Sequence, residues 1–231
     1  MKPETGLFSP ATLGERRREV AVFLFLIVPP MIVGYFSGTR QEAFGLFAVS
    51  AILTDFAFVA LVLFFLWRND EPPSRCGLGG SGAAREILIG ALLYPPISGS
   101  LALLESVFQR VGLSAPPQTT PRFLAAHGGW QLALAAALVL VVAIAEEILF
   151  RGYLLLRFGE ILRSASRAVV LSAVVFSLGH LYEGTAGALA VMVMGMALGA
   201  IRIWRRSLIA PMVIHLLQDL FAIVIIPAMH G

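Results

Sequence analysis

Seven long apolar runs, separated by short stretches rich in arginine, proline and glycine, dominate the hydrophobic pattern of this chain. They extend approximately from Val20 to Phe36, Ala43 to Trp67, Glu86 to Phe108, Trp130 to Phe158, Ala168 to Tyr182, Thr185 to Ile203 and Leu208 to Ala228. Most come close to the roughly 20 residues that carry a helix across a bilayer core. The fifth is short and the fourth long, which predicts a half-buried helix and a tilted or protruding one. Because only helices and closed barrels satisfy their backbone inside lipid, the pattern predicts an all-α polytopic membrane protein with about seven transmembrane helices.

Composition agrees. Hydrophobic residues make up 58% of the 231, charged residues 13%, and the mean hydropathy is +0.85. One soluble core of this size has no room for so much apolar surface, so the bilayer is the expected solvent. The net charge of +3 comes from arginines at the ends of the runs, which suits anionic headgroups and gives no support to nucleic-acid binding. Cys76 is the single cysteine, so no internal disulfide forms.

The basic residues are unevenly distributed. Lys2, Arg16, Arg17, Arg18, Arg68, Arg75, Arg85, Arg157, Arg163, Arg167, Arg202, Arg205 and Arg206 fall on one side of the alternating runs, against Arg40, Arg110 and Arg122 on the other. By the positive-inside rule the N-terminus is cytoplasmic and the C-terminus lies outside. Arg16 to Arg18 ahead of Val20 to Val33 resemble a secretory signal, but Pro29-Pro30 and the lack of a clear small-residue cleavage site predict an uncleaved first helix. The Pro, Gly and Ser of Asp70 to Ala84 predict a cytoplasmic loop. Gly112 to Gly129, with Pro116, Pro117 and Pro121, divides an N-terminal three-helix part, residues 1–129, from a C-terminal four-helix part, residues 130–231. The heavy use of arginine as base points to a bacterial cytoplasmic membrane.

Polar residues inside the runs carry the functional signal. Glu146, Glu147 and Arg151 lie within the fourth run, His180 within the fifth, and His215 with Asp219 within the seventh. Ionisable groups at that depth are costly, and by default they mark chemistry or a cavity. Counted from the arginine-rich ends, Glu146, His180, His215 and Asp219 reach a common layer at roughly 14 to 20 Å of helix rise. At about 100° per residue Glu147 aligns with Arg151 for an i, i+4 ion pair, which leaves Glu146 to face the histidines. His215 and Asp219 share one helix face by the same spacing. Asp55, also mid-run, reads as a helix–helix hydrogen-bonding residue, Glu105 as reaching water near a run end, and His127 and His230 as solvated.

These residues fall into three motifs: Glu146-Glu147-Ile148-Leu149-Phe150-Arg151, Phe176-Ser177-Leu178-Gly179-His180 and His215-Leu216-Leu217-Gln218-Asp219. In type, order and placement in separate runs they resemble the CAAX protease and bacteriocin-processing family of intramembrane proteases, which includes the Ras-converting CAAX endopeptidases. The resemblance covers about Val139 to Ala228. It implies a CAAX-protease-like helical bundle acting as a glutamate-dependent endopeptidase, with its catalytic residues in the C-terminal four helices. The residues matching Glu146 and His180 would activate a water, those matching His215 and Asp219 would stabilise the oxyanion, and Glu147 with Arg151 would support them. The implied substrate is a membrane-bound peptide or protein, lipidated or not, and no cofactor is implied.

Other readings stay open at this stage. Glu146, His180 and His215 also suit three ligands of a catalytic Zn²⁺. The acidic doublet with Arg151 also reads, less favoured, as an intrahelical salt-bridge network, His180 as a packing histidine, and His215 with Asp219 as a hydrogen-bonded pair joining helices. A non-catalytic immunity factor, scaffold or transporter would also keep buried charge. No H-E-x-x-H zinc motif or G-x-G-D aspartyl motif occurs. Gly79-Gly80-Ser81-Gly82 matches the G-x-S-G of rhomboid proteases but lies in the expected loop, and Gly195 with Gly199 predicts close helix packing.

Overall fold

A computed structural model describes residues 12–36, 44–79, 82–114 and 129–225. His127, His230, Lys2, Arg40, Arg122, Pro116, Pro117, Pro121, Gly80 and Ser81 lie outside them. The described residues are all-helical, and the chain is a polytopic membrane helical bundle. In chain order the helices are α1 (Leu13–Phe36), α2 (Phe44–Arg68), α3 (Ala83–Arg110), α4 (Gly129–Glu146), α5 (Leu155–Leu162), α6 (Ala165–Leu178), α7 (Gly184–Arg205) and α8 (Ile209–Asp219). A π-helical segment, Glu147–Leu154, joins α4 to α5 without a break, and a second, Leu220–Ile225, extends α8. Among the described residues, α2, α3, the continuous Gly129–Leu162 rod and Leu181–Arg205 are long and apolar enough to cross a membrane, while α6 and α8 are shorter apolar helices.

The rod formed by α4, the π segment and α5 sits at the centre. All eight residues of the π segment are buried, including Glu147 and Arg151. Around it packs the main core cluster, drawn from α1 (Val20, Phe23, Ile27), α2 (Val62, Phe65, Leu66), α6 (Ala168, Val175, Phe176) and Leu208. Tyr153 is its hub, with Phe23 at 5.1 Å and Phe65 stacked at 5.9 Å between ring centroids. This core joins α1 and α2 to the C-terminal helices across the boundary expected near residue 129. By contrast α3 lies to one side against α7 and α8, where Gly90 lets it approach so closely that a Cβ would stand 2.8 Å from the Ala210 carbonyl.

The arginine-rich ends meet at one end of the bundle. Arg157, fully buried, pairs with Glu71 and with Glu160 at 3.1 Å, and lies 3.8 Å from Glu19. Arg16 pairs with Glu71 and Glu160, Arg75 with the same two acids, and Arg205 with Glu86 at 2.6 Å. Each of these four arginines has a carboxylate partner from another element. The loop expected between the second and third runs carries a short 3₁₀ turn, Pro73–Cys76, and docks under α7 and α8. Arg202 donates to the Cys76 carbonyl, and the Leu208 N–H donates to that of Gly77.

The turn from α5 into α6 is local chemistry. Arg163 ends α5 in the left-handed region at φ 51°, and Ser164 then caps α6 by accepting the Arg167 N–H. With 14 residues, α6 rises only about 21 Å, too little for a bilayer core of about 30 Å. It stops at Gly179, and His180 stands on the turn before the 3₁₀ turn Leu181–Glu183. Non-helical backbone at membrane depth persists where it is enclosed by protein or lines a polar cavity.

Candidate active site

Three elements build the site. The central rod supplies Glu146 as the last α-helical residue and Glu147 as the first of the π segment. The widened π turn re-aims side chains relative to an α-helix and recurs at functional sites. Across it the Leu155 N–H reaches the Phe150 carbonyl, which also accepts the buried Ser172 hydroxyl at 2.7 Å from α6. α8 supplies His215 and Asp219, and the turn after α6 supplies His180.

His215 is the centre of the polar set. Its Nδ1 lies 3.0 Å from Glu147 Oε1, and since a carboxylate only accepts, Nδ1–H donates. Nε2 is thereby turned toward Glu146 Oε2 at 3.7 Å and Asp219 Oδ2 at 3.5 Å. The same Glu147 Oε1 accepts from Arg151 Nη1 at 2.8 Å, so one carboxylate orients both the guanidinium and the imidazole. Arg151 also lies 4.0 Å from the centre of the Phe176 ring, a cation–π contact in a site shielded from water.

Exposure separates two layers. The side chains of Glu147, Arg151 and His215 are 0%, 2% and 3% exposed, whereas Glu146 and Asp219 keep 23% and 21%. The first three form a dry support and the other two face the accessible side. His180 is half-buried. Its ring lies 4.8 Å from Phe176, whose other neighbours are His215 at 5.9 Å and Phe150 at 5.1 Å. Phe176 therefore spaces the two imidazoles, and His180 Nδ1 is 3.3 Å from the Phe176 carbonyl.

The structure thus brings Glu146, Glu147, Arg151, His215 and Asp219 into one connected set, with His180 joined to it through the Phe176 ring. His180 stands beyond the helix end, where the apolar pattern had placed it inside a helix. Glu147 does more than pair with Arg151, because it also holds His215. Gly195 and Gly199 sit where α7 presses on α6, and a Cβ on Gly195 would lie 3.0 Å from Ala173 Cβ and 3.2 Å from Arg151 Nη2. Among the described residues no three His, Cys, Asp or Glu side chains are grouped so as to hold a metal ion.

A family model described as Type II CAAX prenyl endopeptidase Rce1-like matches residues 128–221, which include all three motifs. Residues 128–221 are thus similar to the CAAX protease family. No curated protein and no solved structure matches the chain. Family and fold together make it an integral membrane peptidase whose substrate is a membrane-associated protein or peptide. The match begins at α4, so α1 to α3 lie outside it.

Proposed function

We propose that this CAAX protease-like protein is a glutamate-type intramembrane endopeptidase that hydrolyses a peptide bond of a membrane-associated substrate without a metal ion. Glu146 takes a proton from a water that attacks the scissile carbonyl, then returns it to the leaving amine. His180 is the second partner of that water. A shared water would stand about 2.7 to 3.2 Å from a polar atom of each. His215 Nε2–H donates to the oxyanion, and Asp219, beside that nitrogen, acts through His215 by holding its ring.

The observation that carries this reading is the partner set of His215: Glu147 fixes Nδ1, which leaves Nε2 beside Glu146 Oε2, a buried oxygen with no hydrogen-bond partner among the described residues. A purely structural histidine would not need a second carboxylate on its open side. By the positive-inside rule the arginine-rich end faces the cytoplasm, and we place the protein in a bacterial cytoplasmic membrane.

The test is hydrolysis in proteoliposomes of a quenched fluorescent CAAX peptide, offered both farnesylated and unprenylated. Wild type cleaves at least one form, and Glu146→Gln lowers kcat by about 10² to 10⁴, the usual contribution of a general base. Activity unchanged by a zinc chelator is expected; its loss, restored by zinc, would transfer the chemistry to a metal. Undiminished cleavage by Glu146→Gln would reject the assignment.

A further inference from the structure

α2 lies outside the residues that match the family model, and its only ionisable residue besides the terminal Arg68 is Asp55. No motif includes it. Its position along the helix is nevertheless specific. The inward face of α2 runs through Phe44, Ala48, Ala51 and Ile52, then Phe58, Val59, Val62 and Phe65, all in the two clusters packed on the central rod. Asp55 falls on this face, seven residues from both Ala48 and Val62 and four from Ala51. Leu53 and Phe56 beside it point outward and are exposed.

Contacts at both ends of α2 set its register against the rod. Gly45 lies against Trp130, and Phe65 stacks on Tyr153, so the two helices run parallel and residue 55 stands near residues 141 and 142. That places Asp55 within roughly 7 Å of Glu146 along the helix axis. It is half-buried and lies within electrostatic reach of both Glu146 and His215. Among the described residues it makes no hydrogen bond or ion pair, so the helix–helix hydrogen bond expected from sequence is not there. A half-buried carboxylate without a structural partner is costly to keep.

We infer that Asp55 is a positioning residue of the same site, carried on the rod-facing side of α2 and acting on the reaction through the charges of Glu146 and His215. The inference rests on the endopeptidase reading and extends the machinery to a helix outside the family match. The charged groups within reach of Asp55 are Glu146 from the rod and His215 from α8. Its negative charge opposes a second one on Glu146 and favours a positive one on His215. Losing it changes how easily Glu146 takes up and returns the proton that hydrolysis moves, and how strongly His215 donates to the oxyanion.

Asp55→Asn and Asp55→Glu, made in the full chain, decide the matter in the proteoliposome assay with the CAAX peptides. Asp55→Asn should lower kcat about tenfold, equivalent to about 1.4 kcal/mol, with KM within about twofold. Asp55→Glu should recover most of the rate, and both variants should unfold in detergent at the wild-type temperature. Wild-type kcat in Asp55→Asn would overturn the inference, as would equal losses in both variants accompanied by a lower unfolding temperature. Labelling of Glu146 by dicyclohexylcarbodiimide, read by mass spectrometry, gives a measure independent of turnover. Asp55→Asn should change that rate by at least about threefold through the loss of a nearby charge, and an unchanged rate would overturn the inference. Peptides left intact by wild type, or cleaved equally by Glu146→Gln, would instead defeat the endopeptidase reading, while the labelling rate still judges Asp55.

Discussion

Arg151→Met tests the dry support beneath the site. The guanidinium is almost fully buried, donates at 2.8 Å to a carboxylate with no exposure, and covers the Phe176 ring. Methionine fills much of the same volume but leaves Glu147 with His215 alone as partner. Removing one member of a buried ion pair costs about 3 to 5 kcal/mol, chiefly because the other charge stays buried and uncompensated. At about 2 to 4 °C per kcal/mol for a chain of this size, the unfolding temperature in detergent should fall by roughly 6 to 20 °C. Replacing both partners, as in Glu147→Leu with Arg151→Met, removes the stranded charge and should restore at least half of the loss. The assay is thermal unfolding of the purified protein followed by tryptophan fluorescence. A single-variant shift below about 2 °C, or a double variant no better than the single, would refute the idea that these charges hold each other in place.

Two other substitutable features carry predictions. Gly195→Ala should destabilise by about 1 to 3 kcal/mol through overpacking, because its Cβ would meet both the Cβ and the backbone Cα of Ala173 within 3.2 Å. Gly199→Ala should cost less, since its nearest neighbour at 3.2 Å is the tip of Val169; equal unfolding temperatures would contradict this. Burial pushes the Cys76 thiol up to about 11, so iodoacetamide at pH 8 should modify the folded protein far more slowly than the SDS-unfolded one, by roughly a hundredfold in thiolate fraction. Because the thiol is held protonated in the folded state, its contribution to stability is complete below about pH 9 and declines as pH rises toward about 11. Equal alkylation of folded and unfolded protein would show Cys76 to be open.

Local spacing and long-range pairing differ in how well they can be read from the chain. The long runs became α2, α3, the central rod and α7 because length and hydropathy are local properties that a bilayer reads directly. The Glu147–Arg151 pair follows from an i, i+4 spacing alone, and it survives the widened turn. The π segments themselves leave no periodic mark in an all-apolar stretch, although the α-helical wheel still paired Glu147 with Arg151 and turned Glu146 toward a histidine. His180 was misplaced for a related reason: the apolar pattern continues past Leu178 although the helix does not. Glu147 as the partner of His215 joins residues 68 apart, which no local rule encodes. Arg157 had the profile of a cytoplasmic headgroup residue, yet it is fully buried among Glu19, Glu71 and Glu160, a network visible only once α1, α2 and α5 are in place. Asp55 shows the same limit, since its face of α2 is defined by what packs there.

The central claim is that Glu146, placed beside His215 and served by His180, makes this membrane bundle a protease. The most direct measurement compares the membrane peptides of cells producing wild type with those of cells producing Glu146→Ala at equal levels of inserted, folded protein. Our account predicts at least one membrane-associated substrate cut only in the wild-type cells and accumulating whole in the variant. Identical peptide sets from the two strains would contradict it.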